Sequence, residues 1–581
     1  MARILRVNMT DRTATYEDVP DKYKLLGGRG LTSTIVYDEV DPACHPLGPN
    51  NKLVFAPGLL TGTTAPTSAR VSAGAKSPLT GGIKESNAGT EWPQLVARLG
   101  LKAIVVEGYP KDDGWWGLHV TKDGAKFFPA GEYVGKSLYG IFPGLFDRFG
   151  KKAAIAAIGI GGEQRMSMAG ICYNDNSGRP SRYSGRGGLG AVMGSKHLKF
   201  IVVDGEGGPG VPIVNKELFD QGRKKLIEAL NTHAITKPKG ALNSYGTAVL
   251  VNILNEAGGY PTRNFREGRF EGAATTSGEA IFEGIKQRLG KEVYNHACSP
   301  GCIIQCSNTW HRPDGSEHVS CVEYESTWAL GANCGIPNLD DVAELIWHCN
   351  DLGIDTIETG GTIAVAMDAG LLPFGDAKGA IRLVQEEIGQ ATPLGRILGN
   401  GATFTGKAFG WPRVPSCKGQ NMPAYEPRAV KGIGITYATS PMGADHTSGY
   451  TICPEILGVT GKIDQFATDK ADLSRAFQHT TAYMTDTTGH CLFIAFAILD
   501  IASGFEGVID EVNGVLGTDF KVADGARLGK EIMDRELAFN RAAGFTRADD
   551  RVPEFMKYEK LPPHNVTWDV PDETLDAVFW A

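Results

Sequence analysis

The sequence has no run of five lysines and arginines, and its formal net charge of −8 at pH 7 offers no basic face for nucleic acid or an anionic membrane. No nucleic-acid-binding signature occurs. Long apolar stretches are missing too: the longest, Cys491 to Leu499, stops at Asp500, short of the roughly 20 residues that a membrane span needs. The opening residues Met-Ala-Arg-Ile-Leu-Arg-Val-Asn carry neither an apolar signal core nor a small-residue cleavage site, so the expected location is cytoplasmic. There is no low-complexity tract and no solenoid-like repeat. A nicotinamide fingerprint is also lacking, because Gly159-Ile-Gly161-Gly-Glu-Gln has no third glycine and no ribose-binding acid in context.

What is plentiful is glycine, 75 of 581 residues, about twice the usual share. Backbone therefore comes close to something often, whether turns, other backbone or a large ligand. The remaining composition, 42% hydrophobic and 21% charged, is that of an ordinary globular protein. A chain of 581 residues exceeds what one core supports, and about two to four domains are expected.

Eleven cysteines in a reducing compartment are not expected to form disulfides. Cys44, Cys172, Cys321, Cys334, Cys349, Cys417 and Cys453 stand singly and read as small hydrophobes. Cys298, Cys302 and Cys306 fall within nine residues, which suits a cubane iron–sulfur cluster whose irons each take one thiolate, the fourth ligand coming from afar. Structural zinc, completed by His296, is the other chemistry open to these thiols.

Along the chain, residues 2–8 and 14–19 alternate apolar and polar around a turn, a hairpin opening. Short β-branched runs recur at 52–56, 102–106 and 200–203, so the first two hundred residues read as strand-rich. The stretch from Asp204 to Gly210 is the best linker. Beyond it the spacing turns helical: Val342, Leu345, Ile346 and Cys349 recur at three and four between an N-cap, Asn338, and a terminating Gly353. A second helix holds Leu473, Phe477, Ala482 and Met484 in a run that stops at Gly489. A softer boundary lies near 412–420. The fold class expected is α+β, with a β-rich N-terminal domain over 1–207 and two mainly helical domains over 208–416 and 417–581.

Two hexads, Asn350-Asp-Leu-Gly-Ile-Asp355 and Asp486-Thr-Thr-Gly-His-Cys491, each lie at the end of a predicted helix with glycine fourth. A glycine C-cap turns the chain so that the sixth residue projects past the helix end, where a carboxylate can accept hydrogen bonds from the amino and ring N–H groups of a pterin. In the second hexad a cysteine takes that place. If Cys491 is the missing cluster ligand, one turn holds both the iron–sulfur centre and a pterin. Two unrelated helix caps are the plain alternative.

These residues resemble the aldehyde ferredoxin oxidoreductase family, tungsten enzymes with a bis-pterin cofactor beside a four-iron cluster, whose hexads have the forms DxxGLD and DxxGLC. The resemblance runs through Leu26–Leu31, Ser77–Gly82, Glu85–Gly89, Gly185–Gly190, Met193–Lys196, Glu323–Glu325, both hexads and Gly443–His446. It implies a [4Fe-4S] cluster on Cys298, Cys302, Cys306 and Cys491, with Arg70 between cluster and pterin. It implies that Asn87, Gly89, Arg186 and Gly187 line the cofactor phosphates, which a magnesium ion bridges near the Asn87 and Gly187 carbonyls. Asn350, Asp355, Asp486 and His490 are implied as cofactor contacts. Glu325 and His446 would carry the chemistry, Glu325 as general base and His446 holding the substrate oxygen. Read without the family, Glu-Tyr-Glu is a solvated pair and His446 is held by its neighbouring aspartate.

Asn350 stands where the family has aspartate, and His490 replaces leucine before the cluster cysteine, open to tuning the cluster or to simple exposure. The first cysteine spacing is three where two is common. Glu344 and His348, four apart, read as a helix-surface pair or as a metal site at an interface like the iron of one family branch. The implied activity is an aldehyde oxidoreductase using tungsten or molybdenum bis-pterin, passing electrons to ferredoxin, a ferredoxin-like subunit or a flavin/NAD subunit, and working as an oligomer. A benzoyl-CoA reductase-type catalytic subunit and a non-catalytic iron–sulfur electron-transfer subunit are the alternatives.

Overall fold

The computed structural model describes residues 2–580. The opening hairpin forms as expected, β1 (Arg3–Asn8) against β2 (Thr13–Asp18), joined by β3 (Leu53–Pro57), β4 (Arg70–Lys76), β5 (Ile83–Gly89) and β6 (Leu101–Glu107) in the order β2-β1-β6-β3-β4-β5. A second sheet follows, built of β7 (Trp116–Thr121), β8 (Gly124–Pro129), β9 (Ala154–Ala157), β10 (Ile171–Asn174), β11 (Pro180–Ser184) and β12 (Leu198–Val203). Its order, β11-β10-β9-β12-β7-β8, repeats the first sheet strand for strand with the numbering advanced by six. The pairing senses repeat as well: β1 with β6 and β7 with β12 are the parallel pairs, and every other pair is antiparallel. The N-terminal region is thus two copies of one topology, which no sequence repeat announces.

Beyond the extended stretch at 204–215 the chain is mainly helical. The helix Leu339–Leu352 has the caps expected of it: Asn338 Oδ1 accepts from Asp340 and Asp341 N–H, and Gly353 is left-handed at φ 72°. The helix Lys216–Thr232, from the first helical part, packs on Ala502–Leu516 from the second: a Cβ on Gly222 would lie 2.6 Å from the Gly507 carbonyl oxygen. One hydrophobic core, from Leu59 to Val578, runs through both parts.

The second hexad departs from expectation. Its helix, Ala471–Met484, ends before Asp486, because threonine hydroxyls take the terminal carbonyls: Thr487 Oγ1 donates to Ala482 O (2.7 Å) and Thr488 Oγ1 to Met484 O (2.9 Å). Gly489 (φ 90°) then turns a loop rather than a helix end.

Each hexad is sewn to one copy of the repeated sheet unit, through the equivalent loop. The β9–β10 loop holds the first, with Asp355 N–H donating to Met168 O (2.9 Å) and Gly170 N–H to Gly353 O (3.0 Å). The β3–β4 loop holds the second: Leu59 and Leu60 N–H donate to Thr487 O (3.0 Å) and Thr488 O (2.9 Å), and Cys491 N–H to Thr67 O (3.0 Å). Glycine makes both approaches possible. A Cβ on Gly159 would lie 2.3 Å from Leu352 O, and one on Gly58 would lie 2.1 Å from Gly489 Cα. Gly159 and Gly161 therefore serve packing against the first hexad. Exchange of Gly58 for alanine is expected to cost about 1–3 kcal/mol by overpacking against rigid backbone, read as a lowered thermal midpoint.

Candidate active site

The two sheet units and the helical part enclose a cavity of about 310 Å³, with a side lobe of about 160 Å³. Of the residues singled out in the sequence, Arg70, Asn87, Gly89, Arg186, Cys298, Cys302, Cys306, Glu325, His446, Asp486 and Cys491 line the main cavity. Asn350 and Asp355 line the lobe, which shares Arg182, Tyr183, Gly185, Glu323 and Ser326 with the main cavity. Gly187 and His490 line neither. Gly187 sits behind the wall, its carbonyl accepting from Ser77 Oγ (2.7 Å), and a Cβ there would meet Lys84 Cγ at 2.4 Å. His490 is neither exposed nor in the cavity: its Nδ1 lies 3.0 Å from Thr488 Oγ1 and its Nε2 lies 3.3 Å from Glu511, both side chains fully buried.

At one wall the four thiols gather. Arg70 enters from β4, donating through Nη2 to Cys491 Sγ (2.8 Å) and through Nη1 to Asn87 Oδ1 (3.2 Å). Burial works against its charge, but the Cys491 and Cys298 sulfurs outweigh it and hold the guanidinium charged. A hydrogen bond from Cys302, with Arg182 and Arg70 nearby, drives the Cys298 thiol well below its ordinary value. Among the described residues no group of three or more His, Cys, Asp or Glu side chains is placed to hold a single metal ion. Four thiols lining one cavity are the donor set that an iron–sulfur cluster takes, one for each iron. Gly89 keeps that space clear, since a Cβ there would stand 3.1 Å from Cys298 Sγ.

At the opposite wall stand Glu325, in the first turn of the helix Tyr324–Leu330, and His446. Glu325 Oε2 accepts from Ala424 N–H (3.0 Å), while Oε1 has no hydrogen bond and lies 3.4 Å from His446 Nε2. Burial pushes Glu325 up to about 8 and His446 down to about 4, so the imidazole is neutral in the ordinary working range. Lys84, 3.1 Å away, together with Arg186 and His446, overcomes burial and keeps the Asp445 carboxyl well below its usual range. Tyr425 and Tyr450 pack on the imidazole, their hydroxyls 2.7 Å apart.

Between the walls the polar groups include some left without partners: Glu85 Oε1, Asn350 Nδ2, Glu325 Oε1 and His446 Nδ1 are buried and unbonded. Arg186 is tied to the protein through Ala444 O (2.7 Å), Asn421 O (2.6 Å) and Asp355 (3.3 Å). Asp355 also caps the next helix through Ile357 N–H (2.9 Å). Asp486 is approached by Arg29 (3.2 Å), which Glu536 grips by two bonds of 2.9 and 2.7 Å. A two-lobed cavity with unmet donors and acceptors at both ends, next to a thiol nest, fits a large polar two-headed cofactor beside an iron–sulfur cluster.

Sequence reasoning passed over Arg29, Lys84, Arg182 and the Tyr425–Tyr450 wall. Arg29 lies inside the Leu26–Leu31 block, and Lys84 and Arg182 lie next to motif blocks, but one basic residue in a strand carries no spacing signal. The Glu344 carboxylate is shared between His318 (2.8 Å) and His348 (3.3 Å), so the helix pair is completed by a histidine from the strand Glu317–Ser320.

A cavity that brings four thiols together with a buried carboxyl group and a neutral imidazole fits a cofactor-dependent oxidoreductase. Residues 4–205 match the family model described as "Aldehyde ferredoxin oxidoreductase, N-terminal domain", and residues 221–579 match "Aldehyde ferredoxin oxidoreductase, domains 2 & 3". The tungsten-containing aldehyde ferredoxin oxidoreductase of Pyrococcus abyssi is 37% identical over 96% of this chain and 92% of its own. The Pyrococcus furiosus protein of the same description is 36% identical over the same shares. Among solved structures, the active site complex BamBC of benzoyl coenzyme A reductase with 1,5-dienoyl-CoA covers all of this chain and 93% of that one, at a TM-score of 0.80 and 19% identity, which shows a shared fold. The chain belongs to the aldehyde ferredoxin oxidoreductase family and is an oxidoreductase of the tungsten–pterin class. The family and the α+β architecture expected from the sequence are both borne out, and no helix among the described residues is long and apolar enough to cross a membrane.

Proposed function

We propose that this protein oxidises aldehydes to carboxylic acids and passes the electrons through a [4Fe-4S] cluster to a ferredoxin-like acceptor. The observation that carries the reading is Glu325, held beside a neutral His446 in the same cavity as the four thiols. Cys298, Cys302, Cys306 and Cys491 would hold the cluster. The pterin heads would meet Asp486 in the main cavity and Asn350 with Asp355 in the lobe, and magnesium would sit with the phosphates near the Asn87 carbonyl, the Gly187 carbonyl being held by Ser77 Oγ (2.7 Å). Bound there, the tungsten–pterin group supplies the two-electron acceptor and the cluster the one-electron exit.

The protein's own part is binding and proton transfer. An aldehyde and water yield a carboxylic acid, two protons and two electrons. His446 Nε2, when it carries the proton, donates to the aldehyde oxygen, and Glu325 Oε1 takes a proton from the attacking water or the hydrate hydroxyl. Tyr425 and Tyr450 exclude bulk water from that side.

The substrate's substituent has a place to go. Tyr450 and Leu492 also line an apolar recess of about 130 Å³, walled by Phe477, Met484, Ile498 and Phe505, whose rim includes the exposed Ala476. No charged side chain lines it, which favours uncharged aliphatic or aromatic aldehydes, and its size suits such a group and not coenzyme A. Ala476→Trp is expected to raise KM for a bulky aromatic aldehyde several-fold more than for a two-carbon aldehyde; equal effects on both would remove the recess from the substrate path.

The test of the whole reading is elemental analysis of anaerobically purified protein followed by aldehyde-dependent viologen reduction. Tungsten or molybdenum present with four irons, and viologen reduced, would support it. Four irons with no tungsten, molybdenum or pterin would leave an electron-transfer subunit.

A further inference from the structure

The doubled sheet unit treats the thiol nest unevenly. The first unit sends in Arg70 from β4, whose register partner across the β4–β5 pair is Gly89. In the second unit the strand equivalent to β4 begins with Ile171, which pairs with Ser184 on β11 and brings no charge. That unit instead supplies a guanidinium two residues along the partner strand, Arg182, at the place that Asn87 holds in the first unit.

Arg182 lines both the main cavity, with all four thiols, and the lobe of Asn350 and Asp355. Its Nη1 donates to Ser307 Oγ (2.9 Å), the residue after Cys306, and its Nη2 to Glu323 Oε1 (2.9 Å). The side chain is 13% exposed and the Glu323 side chain 30%. Burial opposes its charge, but Cys321, Glu323, Cys298 and Cys306 outweigh burial, so it stays a cation against the thiols. Arg70 bonds Cys491 and Asn87, whereas Arg182 bonds the residue next to Cys306 and lines the lobe.

We propose that Arg182 is the second guanidinium of the cluster site, a tuning residue that raises the cluster's reduction potential and links the cluster to the Asn350–Asp355 lobe. The inference rests on the iron–sulfur reading given above. A fixed cation held in a poorly solvated wall stabilises the more negative, reduced cluster relative to the oxidised one, and Glu323, partly in solvent, offsets part of that charge.

The test is a potentiometric titration of the anaerobic holoenzyme followed by electron paramagnetic resonance, with iron counted in each variant. Arg182→Met is expected to keep its iron and shift the potential negative, while Arg182→Lys, which keeps the charge, stays near the parent. Glu323→Gln, which leaves Arg182 in place and removes its counter-charge, is expected to shift the potential positive and decides the matter should the methionine variant assemble no cluster. An unmoved potential in Arg182→Met or in Glu323→Gln, or a lysine variant as negative as the methionine one, overturns the proposal. A parent protein without iron would sink the iron–sulfur reading itself, whereas a loaded parent indifferent to Arg182 sinks only this inference.

Discussion

Exchange of Glu325 for glutamine is expected to leave the fold, iron and tungsten content unchanged and to lower aldehyde turnover by about 10²–10⁴-fold, the usual worth of a placed general base. The substitution is conservative in the structure: the carboxamide oxygen can still accept from Ala424 N–H, as Oε2 does at 3.0 Å, and no buried charge is left without a partner. What is lost is the proton acceptor at Oε1, 3.4 Å from His446 Nε2. Aldehyde-dependent viologen reduction on metal-matched protein measures it. Retained turnover would remove Glu325 from the chemistry.

The same residue sets the sign of the pH dependence. Burial pushes Glu325 up to about 8, so roughly a tenth of the molecules carry the ionised form at neutral pH, and that form grows as pH rises through this value. Turnover is therefore expected to climb through neutrality and level off about one unit above 8. His446 adds no second limb in this range, because burial holds it down to about 4. In Glu325→Gln the limb disappears along with most of the rate. A profile that falls across the same window would assign Glu325 the role of acid instead.

Local features of the fold were legible because their causes are local. The β1–β2 hairpin follows from alternation around a turn, and the helix Leu339–Leu352 from its spacing and from Asn338 and Gly353 at its ends. The second hexad was misplaced relative to its helix because three threonines within four residues, 485, 487 and 488, end the helix early through hydroxyl-to-carbonyl bonds, which compete with helical ones in a way periodicity does not register. The doubling of the sheet unit was invisible, since strand order is a non-local property and the copies share topology rather than residues. It nonetheless explains why the hexads come in a pair: each needs one copy's loop to hold it. In the site, spacing led to the thiols and both hexads, and family resemblance to Glu325 and His446. Arg29, Lys84 and Arg182 came only from the structure, because their meaning lies in partners far off in sequence, Asp486, Asp445 and Glu323. His490 shows the limit of adjacency: next to Cys491 in sequence, its side chain points away from the thiols and is spent on Thr488 and Glu511.

Cys491→Ser should have the second large effect, loss of the iron–sulfur cluster, because an alcohol is a far weaker ligand to iron than a thiolate. The position has no substitute. Its backbone is fixed by Cys491 N–H donating to Thr67 O (3.0 Å), at the loop that also meets Gly301 O through Thr67 N–H (2.9 Å), so the remote ligand and the local trio are held by the same residue of the β3–β4 loop. None of the seven other cysteines lines the main cavity with these four, so the vacated place has no second thiol in that cavity. Arg70 would lose the sulfur that it bonds at 2.8 Å, which removes the guanidinium bridge between Cys491 and Asn87 Oδ1. Iron content should fall well below four per chain, the broad visible absorption of the cluster should vanish, and aldehyde-dependent reduction of a one-electron acceptor should stop, while thermal unfolding of the sheet region stays close to the parent. A serine variant that keeps four irons and an unchanged spectrum would show that the fourth ligand is some other group, and the link between cluster and second hexad would have to be given up.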